Sequence, residues 1–386
     1  MAEVRIGIIG VGNMGSSHLK SIVAGSVPNM KLAAIADVKP ERIAWAKENM
    51  PEDVACFDNA VAMMESGLVD AVIISTPHYD HPPLAIAAFE HGLHVMCEKP
   101  AGVFTSAVRE MNAAAAKSGK VFGIMFNQRT NCVYRKMREL VTDGGLGRIR
   151  RTNWLITNWY RSQSYYDSGA WRATWAGEGG GVLLNQCPHN LDLWQWICGM
   201  PTRVRAFTHN GKWHNIEVED DVTAYVEYEN GATGVFITST GDVPGTNRLE
   251  IMMDGGKLVC DGKSLQLYKL EMSEPEFSRT WTKGFGEPKY ELIEVETDGE
   301  NPQHNGVLKK FAECILEGKP LVASGEEGIR GLTLSNAMHL SSWLERTVDL
   351  PLDEKLFRDE LQKRIDSSRL KDGDGKTLDT EGTYGK

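Results

Sequence analysis

The sequence predicts an α/β chain of two domains, a doubly wound parallel sheet followed by an α+β domain with a largely antiparallel open sheet. Three observations predict it. A strand runs directly into a glycine-rich loop; strand-sized apolar runs alternate with amphipathic helical stretches as far as residue 126; and hairpin-punctuated strand patterns dominate beyond it. A chain of 386 residues is also too long for one ordinary core.

The first strand covers residues 4–9 and gives way to Gly10-Val11-Gly12-Asn13-Met14-Gly15, and a second strand at 31–36 ends on Asp37. Gly10 permits the tight turn, Gly12 lets backbone N–H groups approach a pyrophosphate, and Gly15 lets the following helix lie close to the sheet. The N-terminus of that helix faces the phosphates with its dipole. A carboxylate at Asp37 can accept hydrogen bonds from both hydroxyls of an adenosine ribose and would repel a 2′-phosphate. Strand, loop, helix, strand and acid together predict a Rossmann domain with NAD, rather than NADP, as its cofactor.

The rest of the first domain follows the same alternation. Residues 70–75 (DAVIIS), 93–97 (LHVMC) and 120–125 (KVFGIM) are nearly continuous apolar runs, as parallel strands covered on both faces require. Helical stretches near 40–49, 59–66, 81–91 and 105–118 lie between them. A connecting helix is predicted over 131–142, then strands at 148–159, 204–207, 222–229, 233–240, 249–253 and 257–261. Glu229-Asn230-Gly231-Ala232 and Asp254-Gly255-Gly256 are hairpin turn signals. Two helices, 306–317 and 326–346, each with one apolar face, complete the pattern. The expected division is a dinucleotide-binding domain at 1–126, a substrate-binding α+β domain at 127–371 and a disordered tail at 372–386, which lacks any apolar period.

Composition narrows the function. A net charge of −10 argues against nucleic acid or an anionic membrane as partner, since both call for basic patches. The longest apolar runs are strand-sized and too short to span a bilayer. No signal peptide precedes the first strand, so the expected location is the cytoplasm. The seven cysteines show no C-x-x-C spacing and read as reduced thiols, with neither disulfides nor a metal site expected.

Two stretches carry the candidate chemistry. One is Cys97-Glu98-Lys99-Pro100 at the end of the strand at 93–97, and the other runs from Gly179-Gly180-Gly181 through Asn185 to His189 and Asp192. Together with the glycine loop, Thr76-Pro77-His78 and His81 after the fourth strand, and Trp171-Arg172, these resemble the Gfo/Idh/MocA family over about residues 4–350. The resemblance implies an NAD(P)-dependent oxidoreductase that moves hydride between nicotinamide and a secondary carbinol of a sugar or cyclitol. It implies that Lys99 contacts the reacting hydroxyl and that His189 assists as acid/base. It places Glu98 and Thr76 along the nicotinamide side of the cleft and Trp171-Arg172 near the nicotinamide end. Asp37 matches the ribose-binding acid, and Gly10, Gly12, Asn13, Met14, Gly15, Pro77, His81, Asn127 and Lys99 itself complete the expected cofactor-binding set. The resemblance also implies a homodimer or homotetramer, because family members pair the open faces of their second-domain sheets.

Hydride cannot leave a carbinol carbon unless the hydroxyl proton is also removed, which needs a base within about 3 Å of that oxygen. Free lysine, with a pKa of about 10.4, is a poor base near neutrality, but desolvation beside a cationic ring lowers it. Many family members carry Asp four residues before this histidine, on the same helical face. Here that residue is Asn185, an amide that can hold a hydroxyl but cannot take its proton. Acid/base work is therefore expected of Lys99 and His189, with a structural role at least as good a reading of Asp192.

Substrate-facing candidates are Asn185, Arg129, Tyr160, Arg161 and Trp171, set among the aromatics Trp159, Tyr165, Tyr166 and Trp175. Such rings stack on apolar sugar faces while polar groups take the hydroxyls. Arg161 and Arg129 would also suit an acidic substituent. His209 and His214 read as surface residues, and Glu219-Asp220-Asp221 as a solvated or capping acidic run. The leading expectation is oxidation of a ring hydroxyl of a sugar, glycoside or cyclitol. The alternative is an NAD-dependent glycoside hydrolase that oxidises transiently, eliminates the anomeric group and returns the hydride.

Overall fold

A computed structural model describes residues 3–369. The expected tail at 372–386 lies outside the described residues. The first sheet is built from β1 (Val4–Ile9), β2 (Met30–Ala36), β3 (Ala55–Phe57), β4 (Ala71–Ile74), β5 (His94–Cys97) and β6 (Phe122–Ile124), all parallel, in the order β3-β2-β1-β4-β5-β6. Its crossovers are α1 (Asn13–Val23), α2 (Pro40–Asn49), α3 (Ala60–Glu65), α4 (His81–Glu90) and α5 (Thr105–Ser118). Strand order reverses between β1 and β4, and ligands of such sheets sit in the crevice beyond the carboxyl ends of the strands at that point. The glycine loop, Thr76 and Lys99 all emerge there, from β1, β4 and β5.

The chain then passes through α6 (Cys132–Thr142) into a nine-stranded sheet. Its members are β7 (Ile149–Ile156), β8 (Arg203–Asn210), β9 (Glu219–Glu227), β10 (Thr233–Ser239), β11 (Asn247–Met253), β12 (Gly256–Cys260), β13 (Leu265–Leu270), β14 (Tyr290–Glu294) and the short β15 (Val348–Asp349). The order is β14-β13-β12-β11-β7-β10-β9-β8-β15, and only β7 and β10 pair in parallel. Between β7 and β8 lie α7 (Gln163–Tyr166) and α8 (Pro188–Cys198); α10 (Gln303–Glu317), α11 (Gly328–Trp343) and α12 (Glu354–Ser367) come late, after the exposed α9 (Glu274–Thr280).

One face of this sheet is buried. Trp194 of α8 stacks on Phe236 of β10 at 5.4 Å, and its indole N–H donates to Thr152 Oγ1 of β7 at 2.8 Å. The period-2 alternation of β9, β10 and β7 sets alternate side chains inward and leaves the others on a face where Phe207, Tyr225 and Met252 are exposed. The two domains are also interleaved. Val307, Leu308 and Phe311 of α10 pack with Ile6 and Ile8 of β1 against the first sheet, so a helix late in the sequence completes the N-terminal core. Among the described residues no helix is long and apolar enough to cross a membrane.

Candidate active site

Gly10 sits at φ +85°, and a Cβ there would lie 2.9 Å from the Ser75 carbonyl oxygen. A Cβ on Gly15 would collide with the Gly10 carbonyl oxygen, so the first turn of α1 rests directly on the loop. At Gly12 a Cβ would meet nothing within 4 Å, which leaves open space beside the N-terminus of α1, where Asn13, Met14 and Gly15 begin the helix. Asp37 is tied to the loop: Oδ2 accepts from the Val11 N–H at 2.7 Å and Oδ1 from the Lys39 N–H at 2.9 Å. A carboxylate has about four lone-pair positions, so two remain for ribose hydroxyls. Loop, helix end and acid therefore fit a dinucleotide. Asp37→Ala should weaken NAD about 10- to 100-fold, the loss of charge-assisted hydrogen bonds of about 1.5–3 kcal/mol. It should also narrow the preference over NADP, checked by titrating each cofactor against intrinsic fluorescence.

Thr76 and Pro77 line the crevice after β4, and Thr76 Oγ1 is a buried hydroxyl with no partner of its own. Asn127 donates to Gln303 while its Oδ1 is also buried and unpartnered. His81 departs from expectation. It is buried, with Nδ1 2.7 Å from the Pro100 carbonyl oxygen and Nε2 2.9 Å from that of Thr76. Both ring nitrogens are spent on backbone, so His81 braces the Thr76 loop against the segment after Lys99 instead of reaching the cofactor.

Lys99 follows β5. Its Nζ donates to the Asn185 carbonyl oxygen at 3.0 Å, and among the described residues it forms no ion pair. Burial lowers its pKa from 10.5, with the Arg161 and Arg172 charges adding to the effect and Glu98 and Glu178 opposing it. Glu98 is buried against His18 of α1, its Oε1 2.7 Å from His18 Nε2, and its Oε2 accepts the Lys99 backbone N–H at 3.1 Å. Burial alone would raise the Glu98 pKa. The His18 hydrogen bond and the charges of His18, His304 and Lys99 outweigh it and hold the carboxyl at about 2. Neither His18 nor His304 was signalled by sequence, because α1 and α10 reach Glu98 from opposite ends of the chain.

His189 stands in the first turn of α8, buried, with Nδ1 unpartnered and its ring 6.4 Å from that of Phe126. Burial first, then the charges of Lys99 and His304, keeps its pKa well below 6.5, so the imidazole is neutral. The expected shared helical face for Asn185 and His189 is not realised. Asn185 precedes α8 in a turn, its N–H donating to Gly181 O at 2.9 Å. Its side-chain amide donates to Glu178 and accepts from Tyr165 Oη at 3.2 Å. Glu178 was missed by sequence reasoning, although a lone carboxylate inside Ala176-Gly177-Glu178-Gly179-Gly180-Gly181 is itself a signal. Buried, it accepts the Ala173 N–H at 2.6 Å, and burial raises its pKa.

Arg129 is corrected from substrate residue to scaffold. It is buried, and its guanidinium donates to both oxygens of Asp192, at 2.8 and 2.7 Å, and to Glu327 at 2.9 Å, so its charge is already matched by two carboxylates of the protein. Asp192 is thereby structural. Tyr166 and Trp175 belong to the core, whereas Tyr160 is half exposed and Trp171 half-buried, edge-on to His78 at 5.8 Å. Glu219 and Asp220 are fully buried rather than solvated. Asp220 accepts the N–H groups of Lys212, Trp213 and His214, and His214 is locked between Asp220 and the Arg161 carbonyl oxygen instead of lying free on the surface. Among the described residues no group of three or more His, Cys, Asp or Glu is placed to hold a metal ion.

A dinucleotide cradle with a ribose acid, facing a desolvated lysine and a neutral histidine across the domain junction, defines a two-domain oxidoreductase. The comparisons give its family. Residues 4–126 match the model of the oxidoreductase family with an NAD-binding Rossmann fold, and residues 134–259 match the GFO/IDH/MocA C-terminal domain. The chain belongs to the Gfo/Idh/MocA family, and its cofactor is NAD. It is similar to myo-inositol 2-dehydrogenase of Thermotoga maritima, 25% identical over 90% of this chain and 98% of the relative. It is also similar to 1,5-anhydro-D-fructose reductase of Ensifer adhaerens, 30% identical over 60% of this chain and 68% of the relative. In fold it matches the WlbA dehydrogenase of Bordetella pertussis, solved with NADH and UDP-GlcNAcA, with a TM-score of 0.78, 24% identity and coverage of 92% and 99% of the two chains.

Proposed function

We propose that this protein oxidises a secondary ring hydroxyl of a pyranose, glycoside or cyclitol, with Lys99 and His189 as its acid/base pair. The observation that carries the reading is Lys99 itself, a half-buried lysine whose amine reaches across the cleft to the Asn185 turn, with no carboxylate among the described residues bonded to its Nζ. Burial favours the neutral amine relative to a solvated lysine, and the neutral amine is the form that accepts a hydroxyl proton. His189, neutral and with Nδ1 free of protein partners, can hold the same oxygen or share its proton. Asn185 cannot ionise, but its amide is bonded to Glu178, so a carboxyl with a raised pKa stands one side chain behind it. Thr76, Asn127, Asp37 and the glycine loop would hold NAD, which supplies the hydride acceptor. The names of the inositol dehydrogenase and anhydrofructose reductase relatives support a polyhydroxylated ring as substrate. The test is a panel of pyranoses, glycosides and cyclitols incubated with NAD. At least one should yield NADH, and failure of every ring hydroxyl at saturating NAD would overturn the reading.

The open face of the second sheet supports self-association. Phe207 and Tyr225 are 53% and 41% exposed there, beside Leu155 and Met252, and a second copy of this face would bury them. We read the protein as a homodimer or homotetramer formed through it. Phe207→Asp should raise the dissociation constant about 30-fold or more, the effect of losing about 2 kcal/mol at an interface anchor. Sedimentation velocity checks this, and a wild-type protein that sediments as a monomer contradicts it. A cytoplasmic setting fits the seven free thiols.

A further inference from the structure

Three cationic side chains converge on the cleft of a chain whose net charge is −10: Lys99, Arg161 and Arg172. Most of the arginines near carboxylates in this molecule are paired with them. Among the described residues Arg161 and Arg172 are not, and no Asp or Glu lies within ion-pair distance of either. They are instead organised around one ring. The Arg172 guanidinium lies 4.7 Å from the Tyr165 centroid and donates from Nη1 to Tyr165 Oη at 2.9 Å; that of Arg161 lies 5.1 Å from the same centroid. Tyr165 in turn donates to Asn185 Oδ1 at 3.2 Å, and the Asn185 carbonyl oxygen receives Lys99 Nζ at 3.0 Å. A continuous chain of contacts therefore links the guanidinium groups to the amine.

Arg161 is prepared in a way that a solvated arginine is not. Its backbone is pinned on both sides, N–H to Thr240 O at 3.0 Å and carbonyl oxygen from His214 Nε2 at 2.8 Å. Its Nη1 reaches only the Tyr160 carbonyl oxygen, at 2.8 Å, and its Nε is buried without any partner. A buried donor left unmade forfeits its hydration without replacement, so an unpartnered guanidinium edge in a cleft marks a place for an acceptor. Planar guanidinium groups match oxyanions two oxygens at a time. Glu178 is the carboxyl on this wall, and it is already committed to Asn185 and the Ala173 N–H.

We propose that Arg161 and Arg172 form a receptor for an anionic oxyacid substituent, a carboxylate or a sulfonate, on the sugar whose ring hydroxyl faces Lys99. The inference rests on the sugar-oxidising function proposed above and adds charge to its substrate. The anionic group supplies binding and orientation, and the hydroxyl several atoms away delivers its proton to Lys99.

The test uses matched methyl pyranosides in the gluco, galacto and manno series, each as the neutral glycoside, the uronate and the 6-deoxy-6-sulfonate. Turnover with NAD is measured alongside thermal shift of the NAD-loaded protein. At least one anionic member should exceed its neutral partner at least tenfold in kcat/KM, mostly through KM. Whichever anionic arm wins identifies the substituent. Arg161→Gln should lower that anionic-to-neutral ratio at least tenfold. Equal handling of neutral and anionic members, a ratio unmoved in Arg161→Gln, or a variant that loses NAD affinity while keeping the ratio would each overturn the proposal with sugar oxidation intact. If no member turns over, the wider panel of pyranoses, glycosides and cyclitols decides the function proposed above, and the thermal shift still decides this one: stabilisation by anionic members alone, lost in Arg161→Gln, supports it, and its absence overturns it.

Discussion

Replacing Lys99 by alanine is expected to lower kcat/KM by about 10²- to 10⁴-fold, the usual worth of a positioned general base, while NAD still binds. The glycine loop and Asp37 follow β1 and β2, whereas Lys99 follows β5, and among the described residues its side chain bonds only to the Asn185 carbonyl oxygen. Cofactor affinity and catalysis should therefore separate, read by NAD titration beside steady-state rates. A variant with normal turnover would remove Lys99 from the mechanism. The pH dependence has a definite sign. The working form of Lys99 is the neutral amine, and burial together with Arg161 and Arg172 favours that form, so kcat/KM should rise with pH and level off with an inflection below the ordinary 10.5. His189 does not produce this limb, because its pKa is held well below 6.5.

The second large effect lies in the scaffold. Asp192→Ala should destabilise the protein by about 3 kcal/mol, because it strips two charge-assisted hydrogen bonds from a buried guanidinium and leaves the partly exposed Glu327 as its remaining carboxylate partner. Burial works against the Arg129 charge, and the Asp192 and Glu327 carboxylates more than offset it. Through Asp192 and Glu327, Arg129 thus links α8, which carries His189, to the residue 327 region leading into α11. Loosening this link should also slow turnover. Denaturant unfolding checks the stability claim, and a loss below about 1 kcal/mol would show that Glu327 alone satisfies Arg129.

The contrast between these two residues shows what was legible in the sequence. Lys99, His189, Asp37 and the glycine loop each sit at a strand or helix end with a fixed local spacing, so their places could be read along the chain. Arg129 could not be read this way, because its partners lie 63 and 198 residues further on, and only the packed fold shows that its charge is consumed. His18 and His304 were missed for the same reason, whereas Glu178 has its partners five and seven residues away and was legible from its glycine-rich surroundings. The strands of the second sheet with a clean buried alternation were found, whereas β13 and β14 were not. Their outward positions are polar or exposed, and β14 buries almost nothing. The helix at 306–317 was legible as an element, but not its packing on β1, because an apolar face does not say which sheet it covers.

The central claim is that a sugar hydroxyl is oxidised with Lys99 as base and that the reducing equivalent leaves the protein. Its most direct test is a substrate carrying deuterium on the oxidised carbon, followed into free cofactor. One deuterium recovered in NADH for each sugar oxidised is the predicted result. Aglycone released with the deuterium back on the sugar, and no free NADH, would contradict it and identify a glycoside-cleaving cycle that retains its cofactor.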